Sequence, residues 1–300
     1  MTVLIHADDI GLSESITSDI IGCIDYGTLN STSIISNGYA FQATVNALKE
    51  RKKIRVSVHL NLIECPPLSP PGQIPLLVDG NGNLNNSFGR LITKWISGNR
   101  AYRRELKAQV QKEFSHQIER TRDNLPHVAD TLRIDGHQHI HMIPFVLDTL
   151  CQLKEELPIS YIRIPREPFF WPPVDLLANP TSLGPNIIKH ILLNQFARPA
   201  QKLFSGLNID FTNLFYGVLM TGRMTEHAVI RVFENLRRSN FRDGVVEILF
   251  HPGRAAPHER DLWLHQEDLW EYYSSDWRSR EAEILKSPRL KELIKSLTAK

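Results

Sequence analysis

An α/β fold built on a parallel sheet is what this sequence predicts, and three observations carry the prediction. Short apolar, β-branched runs alternate with helix-periodic segments along most of the chain, the rhythm of parallel strands joined by helical crossovers. The 300 residues, 42% hydrophobic and 23% charged, suffice for one large domain, and α/β barrels routinely use this length as one. Acids and histidines recur at the ends of strands, and in parallel folds those C-terminal ends share one face. The rhythm alone fits an open sheet as well as a closed barrel.

The first strand is the run Val3, Leu4 and Ile5, which ends in two adjacent carboxylates, Asp8 and Asp9, before Gly11 and Ser13. Strand side chains alternate, so the two acids are expected on opposite sides unless the chain is already turning. They can then take different jobs, one as a cation ligand and the other as a base. A helix over 13–27 carries Ile16, Ile20, Ile21 and Ile24 at helical spacing and stops at Gly27. Residues 33–36 read as a short strand, 41–52 as a helix and 54–62 as a strong strand that holds His59 and Asn61. Prolines and glycines then crowd residues 64–86, a loop long enough to serve as a lid or wall over a site.

Helices resume over 88–96 and 102–123, followed by a strand over 132–135 that ends in Asp135. Residues 144–156 form a helix with Pro144 near its start, and 161–164 a strand. A second proline-rich, lid-like excursion at 165–185 contains Phe169, Phe170 and Trp171, aromatics suited to stacking on a sugar and equally to ordinary packing. Helices over 187–204 and 225–240, a strand over 245–250 running into His251, Pro252 and Gly253, and a charged amphipathic helix over 276–297 complete the chain. No internal repeat or linker divides it, so a single domain over 1–300 is expected.

A formal charge of +2 argues for neither a nucleic-acid surface nor a membrane surface. Three cysteines, Cys23, Cys65 and Cys151, in no metal-type spacing fit a reducing compartment. No apolar run approaches the roughly 20 residues of a membrane span, and no basic leader precedes the first strand. The expectation is a soluble, cytoplasmic protein.

Four strand ends carry the chemistry: Asp8 with Asp9, His59 with Asn61, Asp135 with His137, His139 and His141, and Glu247 with His251. The three alternating histidines would share one side if their strand continued, and imidazole suits zinc and other transition ions. On a tight turn they would instead divide into a ligand and a supporting partner. Asp135 is placed to orient a histidine, and Glu247 is a weaker candidate for the same work. His59, a lone histidine on an apolar strand, would by itself read as a core residue.

The segments HADDIGLS, VSVHLNL, RIDGHQHIHMIP and EILFHPG, in that order, resemble the YdjC-like family of carbohydrate deacetylases, which includes the chitooligosaccharide deacetylases. The resemblance runs on to YYSSDWRSREAEIL near the C-terminus. It implies a distorted, TIM-barrel-like (β/α) barrel related to polysaccharide deacetylases, and hydrolysis of N-acetyl groups from an amino sugar or short oligosaccharide. It also implies a divalent cation, magnesium first and zinc second, held by Asp9, His59 and His137. Asp8 would be the general base, His251 the acid, and the assembly a homodimer. Departures from the family pattern are Ile10, Gln138 and the stretch HERDLWLHQED, which reads as an insertion. A metal-dependent sugar isomerase or epimerase would call for more carboxylate ligands. A non-catalytic carbohydrate-binding protein would keep the aromatics and dispense with the acids.

Overall fold

The structure is a computed structural model that describes residues 1–173, 183–239 and 241–298. Eight strands form one sheet in the order β6-β5-β4-β3-β2-β1-β8-β7, each neighbouring pair parallel. They are β1 Thr2–Ile10, β2 Ser31–Ile34, β3 Arg55–Leu60, β4 Leu132–Gly136, β5 Ile159–Ile162, β6 Asp210–Phe211, β7 Leu214–Tyr216 and β8 Val245–Phe250. Only Thr212 and Asn213 separate β6 from β7. The first pairs with β5 and the second with β8, so one broken segment carries the sheet round from one edge to the other. The result is a distorted barrel.

Alternation along the strands sorts polar from apolar residues. Ile5, Ile34, Val58, Ile134, Ile162, Val246 and Phe250 lie in two apolar clusters that include residues of the surrounding helices. Their strand neighbours His6, Ser31, Ser33, Asp135 and Glu247 are buried as well, but they meet one another. His6 Nδ1 lies 2.8 Å from Ser31 Oγ and its Nε2 2.6 Å from Ser33 Oγ, while the Ser33 hydroxyl donates to Asp135. The interior of this barrel is therefore polar, with the hydrophobic core in the layer between sheet and helices.

The helices are α1 Glu14–Tyr26, α2 Phe41–Lys49, α3 Phe88–Ser97, α4 Arg100–Asn124, α5 Pro144–Leu153, α6 Leu183–Gly206, α7 Glu226–Arg238, α8 Glu267–Tyr273, α9 Asp276–Leu285 and α10 Pro288–Thr298. Helix α1 starts as expected, with the Ser13 side chain accepting from Ile16 N–H, and ends at Gly27 in the left-handed region. Four expectations shift, the first being the strand expected over 161–164, which lies two residues earlier at Ile159–Ile162. Strand β2 begins at Ser31, because Ser31 and Thr32 pair in register with β1 and β3 although neither is apolar. The single helix expected over 276–297 is two, interrupted before Pro288, which suits the first turn of α10. The expected excursion at 165–185 and helix at 225–240 lie in part outside the described residues, at 174–182 and 240.

Residues 64–86 form a packed wall. Ile74, Leu77 and Leu84 are buried, and α4 holds the backbone: Glu113 accepts from the N–H groups of Leu68 and Ser69, and Gln109 from that of Leu76. No helix among the described residues is long and apolar enough to cross a membrane.

Beyond β5, buried Glu167 accepts from the backbone N–H of Gly217 at 2.7 Å and of Leu219 at 2.8 Å. Burial pushes its carboxyl from an ordinary 4.5 up to about 7, against the pull of these donors. Because the folded state keeps the proton longer than the unfolded chain, this group's contribution to stability is full below about 4.5 and lost as pH rises through about 7. Thermal midpoints should therefore fall across that window, with a shallower fall in Glu167→Gln. Equal slopes in the two proteins would show that Glu167 stays ionised in the fold.

Candidate metal and catalytic site

Strand β1 does not deliver its two acids by simple alternation. Asp9 has φ 75°, and the β1–β2 register shifts between Ala7 and Ile10. This kink lets both carboxylates line one cavity of about 260 Å³, shared with His59, His137 and His251.

Asp8 is held from the barrel interior. Arg163, beyond β5, donates from Nη1 to Asp8 Oδ2 and from Nη2 to Asp8 Oδ1, both at 2.9 Å. The same Nη2 stands 3.0 Å from Asp135 Oδ2 and 2.6 Å from Glu247 Oε1. Burial would raise the Asp8 carboxyl, yet Arg163, His59 and His6 hold it well below the usual range. It is an ionised acceptor facing the cavity.

Asp9 divides its two oxygens. Arg278, on α9, donates from Nη1 to Oδ2 at 3.0 Å. Oδ1 is buried and makes no hydrogen bond of proper geometry, with His137 Nδ1 3.2 Å and His59 Nε2 3.7 Å away. The two imidazole nitrogens are 3.3 Å apart. Burial opposes ionisation of Asp9, and His137 and Arg278 more than offset it, so its carboxyl is lowered. Three side-chain ligand atoms thus converge on one point.

These residues fit a divalent ion. Adjacent donors on an ion bound at roughly 2.1 Å stand about 3.0–3.4 Å apart; His137 Nδ1 is 3.2 Å from the orphaned Asp9 Oδ1 and 3.3 Å from His59 Nε2, and the third side of the triangle, 3.7 Å, is slightly longer. His59 is turned correctly, because Nδ1 faces Asp135 Oδ1 at 2.6 Å, where it must donate, leaving the Nε2 lone pair for the ion. A second group, His6, Asp8 and Asp135, also brings three ligand atoms within 4.8 Å of one another. There the Arg163 guanidinium already stands against both carboxylates, so the positive charge is supplied by the protein.

The three histidines after β4 separate. The strand ends at Gly136, and Gln138 and His139 take φ values of 52° and 61°, so the chain turns here and the three rings do not share one strand face. His137 turns to Asp9, while His141 Nε2 donates to the Arg163 carbonyl at 2.9 Å and supports the arginine's loop. His139 lines the cavity, its ring edge-on to Phe215. Burial pushes His141 down to about 4 and His139 well below its ordinary value. Asp135 orients His59 as expected, and Glu247 reaches Arg163 rather than any histidine of the triad. His251 lines the cavity beside Tyr272, its backbone N–H bonded to Glu281, and burial pushes its imidazole down to about 4.

Sequence reasoning missed Arg163, Arg278, Glu64 and Lys189. Arg163 left a signal, a lone cation inside the apolar run of residues 159–164. Arg278 lies in the resembling segment near the C-terminus, but nothing local marks it. Glu64, the first residue of the expected lid, contacts His137. Lys189, from α6, lines the cavity, and burial brings its amine down to about 8. The stretch that reads as an insertion contributes Glu259, which accepts from Ser13 Oγ and Ser15 N–H at the start of α1.

A family model described as YdjC-like protein matches residues 2–296. A carbohydrate deacetylase of Clostridium beijerinckii is 30% identical over 165 residues, which are 54% of this chain and 61% of that protein. One of Mus musculus is 25% identical over 263 residues, 84% of this chain and 77% of that protein. The match to the first of these, and to the Danio rerio carbohydrate deacetylase at 50% of its length, spans only half to three-fifths of those relatives. A solved structure from Enterococcus faecalis, described as a cellobiose-phosphate cleavage protein, superposes with a TM-score of 0.66 at 18% identity, covering 98% of this chain and 94% of that one. That likeness supports the distorted barrel.

Replacing Arg163 by methionine keeps the volume and removes the cation from three buried carboxylates. The expected loss is about 3–5 kcal/mol of unfolding free energy, the usual result of stranding a buried charge, measured by chemical denaturation. A loss within about 0.5 kcal/mol, the range of an ordinary surface substitution, would mean the acids are neutral in the fold.

Proposed function

The chain belongs to the YdjC-like family, and from that membership and the cavity's donor set we propose that it hydrolyses N-acetyl groups from an amino sugar or short chitooligosaccharide with the help of a divalent ion. The observation that carries this reading is the meeting of the ionised Asp8 with the triad Asp9, His59 and His137 in one cavity. The relatives named carbohydrate deacetylase support the substrate class.

Asp9, His59 and His137 would hold the ion. When bound there, it would supply Lewis acidity, polarising the acetyl carbonyl and lowering the pKa of water. Asp8, kept as a carboxylate by Arg163, would accept the proton of the attacking water. The C–N bond breaks to acetate and the free sugar amine, which needs a proton because an amide anion is a very poor leaving group. His251 is the candidate donor. Its imidazole is neutral near pH 7, so the proton it hands on would be the one that Asp8 has taken from water.

The family resemblance implies magnesium, with zinc second on the donor types; two imidazoles, each with a carboxylate on its outer nitrogen, suit a transition ion better than magnesium, which prefers oxygen. Zinc is therefore the ion to try first at the bench.

Acetate release from diacetylchitobiose, measured after chelation and again after adding back zinc or magnesium, tests the reaction. Release that returns with the ion supports it, and none under either ion removes it for this substrate. Asp8→Asn should retain the ion and lose about 10²–10⁴ in turnover, the range for a missing general base. His59→Ala should lose the ion itself, read by metal analysis of the purified protein.

A further inference from the structure

We infer that Glu64 is a positioning residue for the ion-binding triad, holding His137 in the tautomer that presents its Nδ1 lone pair to Asp9 and His59. The inference rests on the reading of Asp9, His59 and His137 as a divalent-ion site.

Glu64 opens the wall that follows β3 and is 1% exposed. Its Oε2 accepts from Trp263 Nε1 at 2.6 Å, and its Oε1 accepts from the Tyr273 hydroxyl at 2.6 Å. An indole nitrogen can only donate, so Oε2 is committed as an acceptor. The tyrosine has one proton and spends it on Oε1. Two atoms then face His137 Nε2, namely Glu64 Oε1 at 3.1 Å and Tyr273 Oη at 3.1 Å, and both offer lone pairs. Nε2 must carry a hydrogen. In the neutral ring Nδ1 is then bare, 3.2 Å from Asp9 Oδ1 and 3.3 Å from His59 Nε2.

The other imidazole of the triad is arranged the same way, with Asp135 against His59 Nδ1. Both rings are thus backed by a carboxylate, which fixes orientation and raises the basicity of the ligand. The two carboxylates differ in origin. Asp135 comes from the polar interior of the barrel, whereas Glu64 is locked by two side chains that lie 199 and 209 residues further along the chain.

Glu64→Gln distinguishes positioning from mere packing. With Trp263 still demanding an acceptor, the amide oxygen stays on the indole and the amide NH₂ turns toward Tyr273 and His137. That reverses the demand on Nε2 and moves the imidazole proton to Nδ1, where the ion should bind. Glu113, which accepts from Leu68 and Ser69 in the same wall and touches no residue of the triad, provides the control Glu113→Gln.

Zinc titration calorimetry on the chelator-stripped full chain reads the effect. The expected result is a zinc affinity about 10–100-fold weaker in Glu64→Gln, with Glu113→Gln binding as the unaltered protein does. Equal affinity in all three, or equal losses in both variants, would overturn the role. Two-bond ¹⁵N–¹H correlation spectra of the zinc-loaded unaltered protein test it without any variant: the His137 proton should sit on Nε2, and a proton on Nδ1 would overturn the inference. If the unaltered protein binds neither zinc nor magnesium, the ion-site reading itself fails and takes this inference with it.

Discussion

A guanidinium buried in the middle of the barrel is the constraint on which the rest of the structure depends. Arg163 faces Asp8 from β1, Asp135 from β4 and Glu247 from β8, and the three acids could not share a water-free interior without it. The cost of burying the cation is offset by the planar fork, which meets Asp8 in two parallel bonds. The network also sets register. Slipping β4 by one residue would carry Asp135 into the apolar layer and Ile134 into the polar interior, so polar contacts inside and apolar packing outside select the same alignment.

The same cation lets two adjacent aspartates do different work. Both oxygens of Asp8 accept from Arg163, whereas Asp9 gives one oxygen to Arg278 and leaves the other bare. Flat alternation would send one of them outward. The left-handed φ at Asp9 is a strained conformation for a non-glycine residue, and its surroundings hold it. Leu12 N–H returns to Asp9 O at 3.2 Å, and the loop after β2 presses against the turn at Gly38, where an added Cβ would come within 2.1 Å of Gly11 O. Strain in the backbone is exchanged for two carboxylates in one cavity.

Much of this was legible in the sequence, and what was not has a common cause. Strand periodicity placed β1, β3, β4, β5 and β8, because each is a run of β-branched or aliphatic residues against the apolar layer. Their polar ends pointed to Asp8, Asp9, His59, Asp135 and His137, which the fold brings together. The segment 210–216 escaped notice because its two strands, of two and three residues, are too short to show a period. Pro288 was a visible stop that the charge pattern of 276–297 obscured. The polar interior was written in the alternation of Ile5, His6, Ala7 and Asp8, but a parallel strand buried on both faces is ordinarily apolar throughout. Arg163, Arg278 and Glu64 act across separations of 155, 269 and 73 residues, and no local pattern encodes such contacts.

Those long separations say how the site is built. Strand ends supply the donors, but residues 257–285 supply much of what holds them. Arg278 sits on Asp9, Trp263 and Tyr273 sit on Glu64, Glu281 fixes the backbone of His251, and Glu259 fixes the start of α1 just beyond Asp9. Each of these is a charged or polar group buried against its hydrogen-bond partners and held in place by them. A barrel with the same strand ends and no such closure would keep every candidate ligand and lose the angles at which they meet. Donor atoms a few tenths of an ångström out of place bind an ion poorly, and an unheld carboxylate swings toward the nearest cation. The C-terminal segment is therefore better regarded as a wall of the site than as a cover over it.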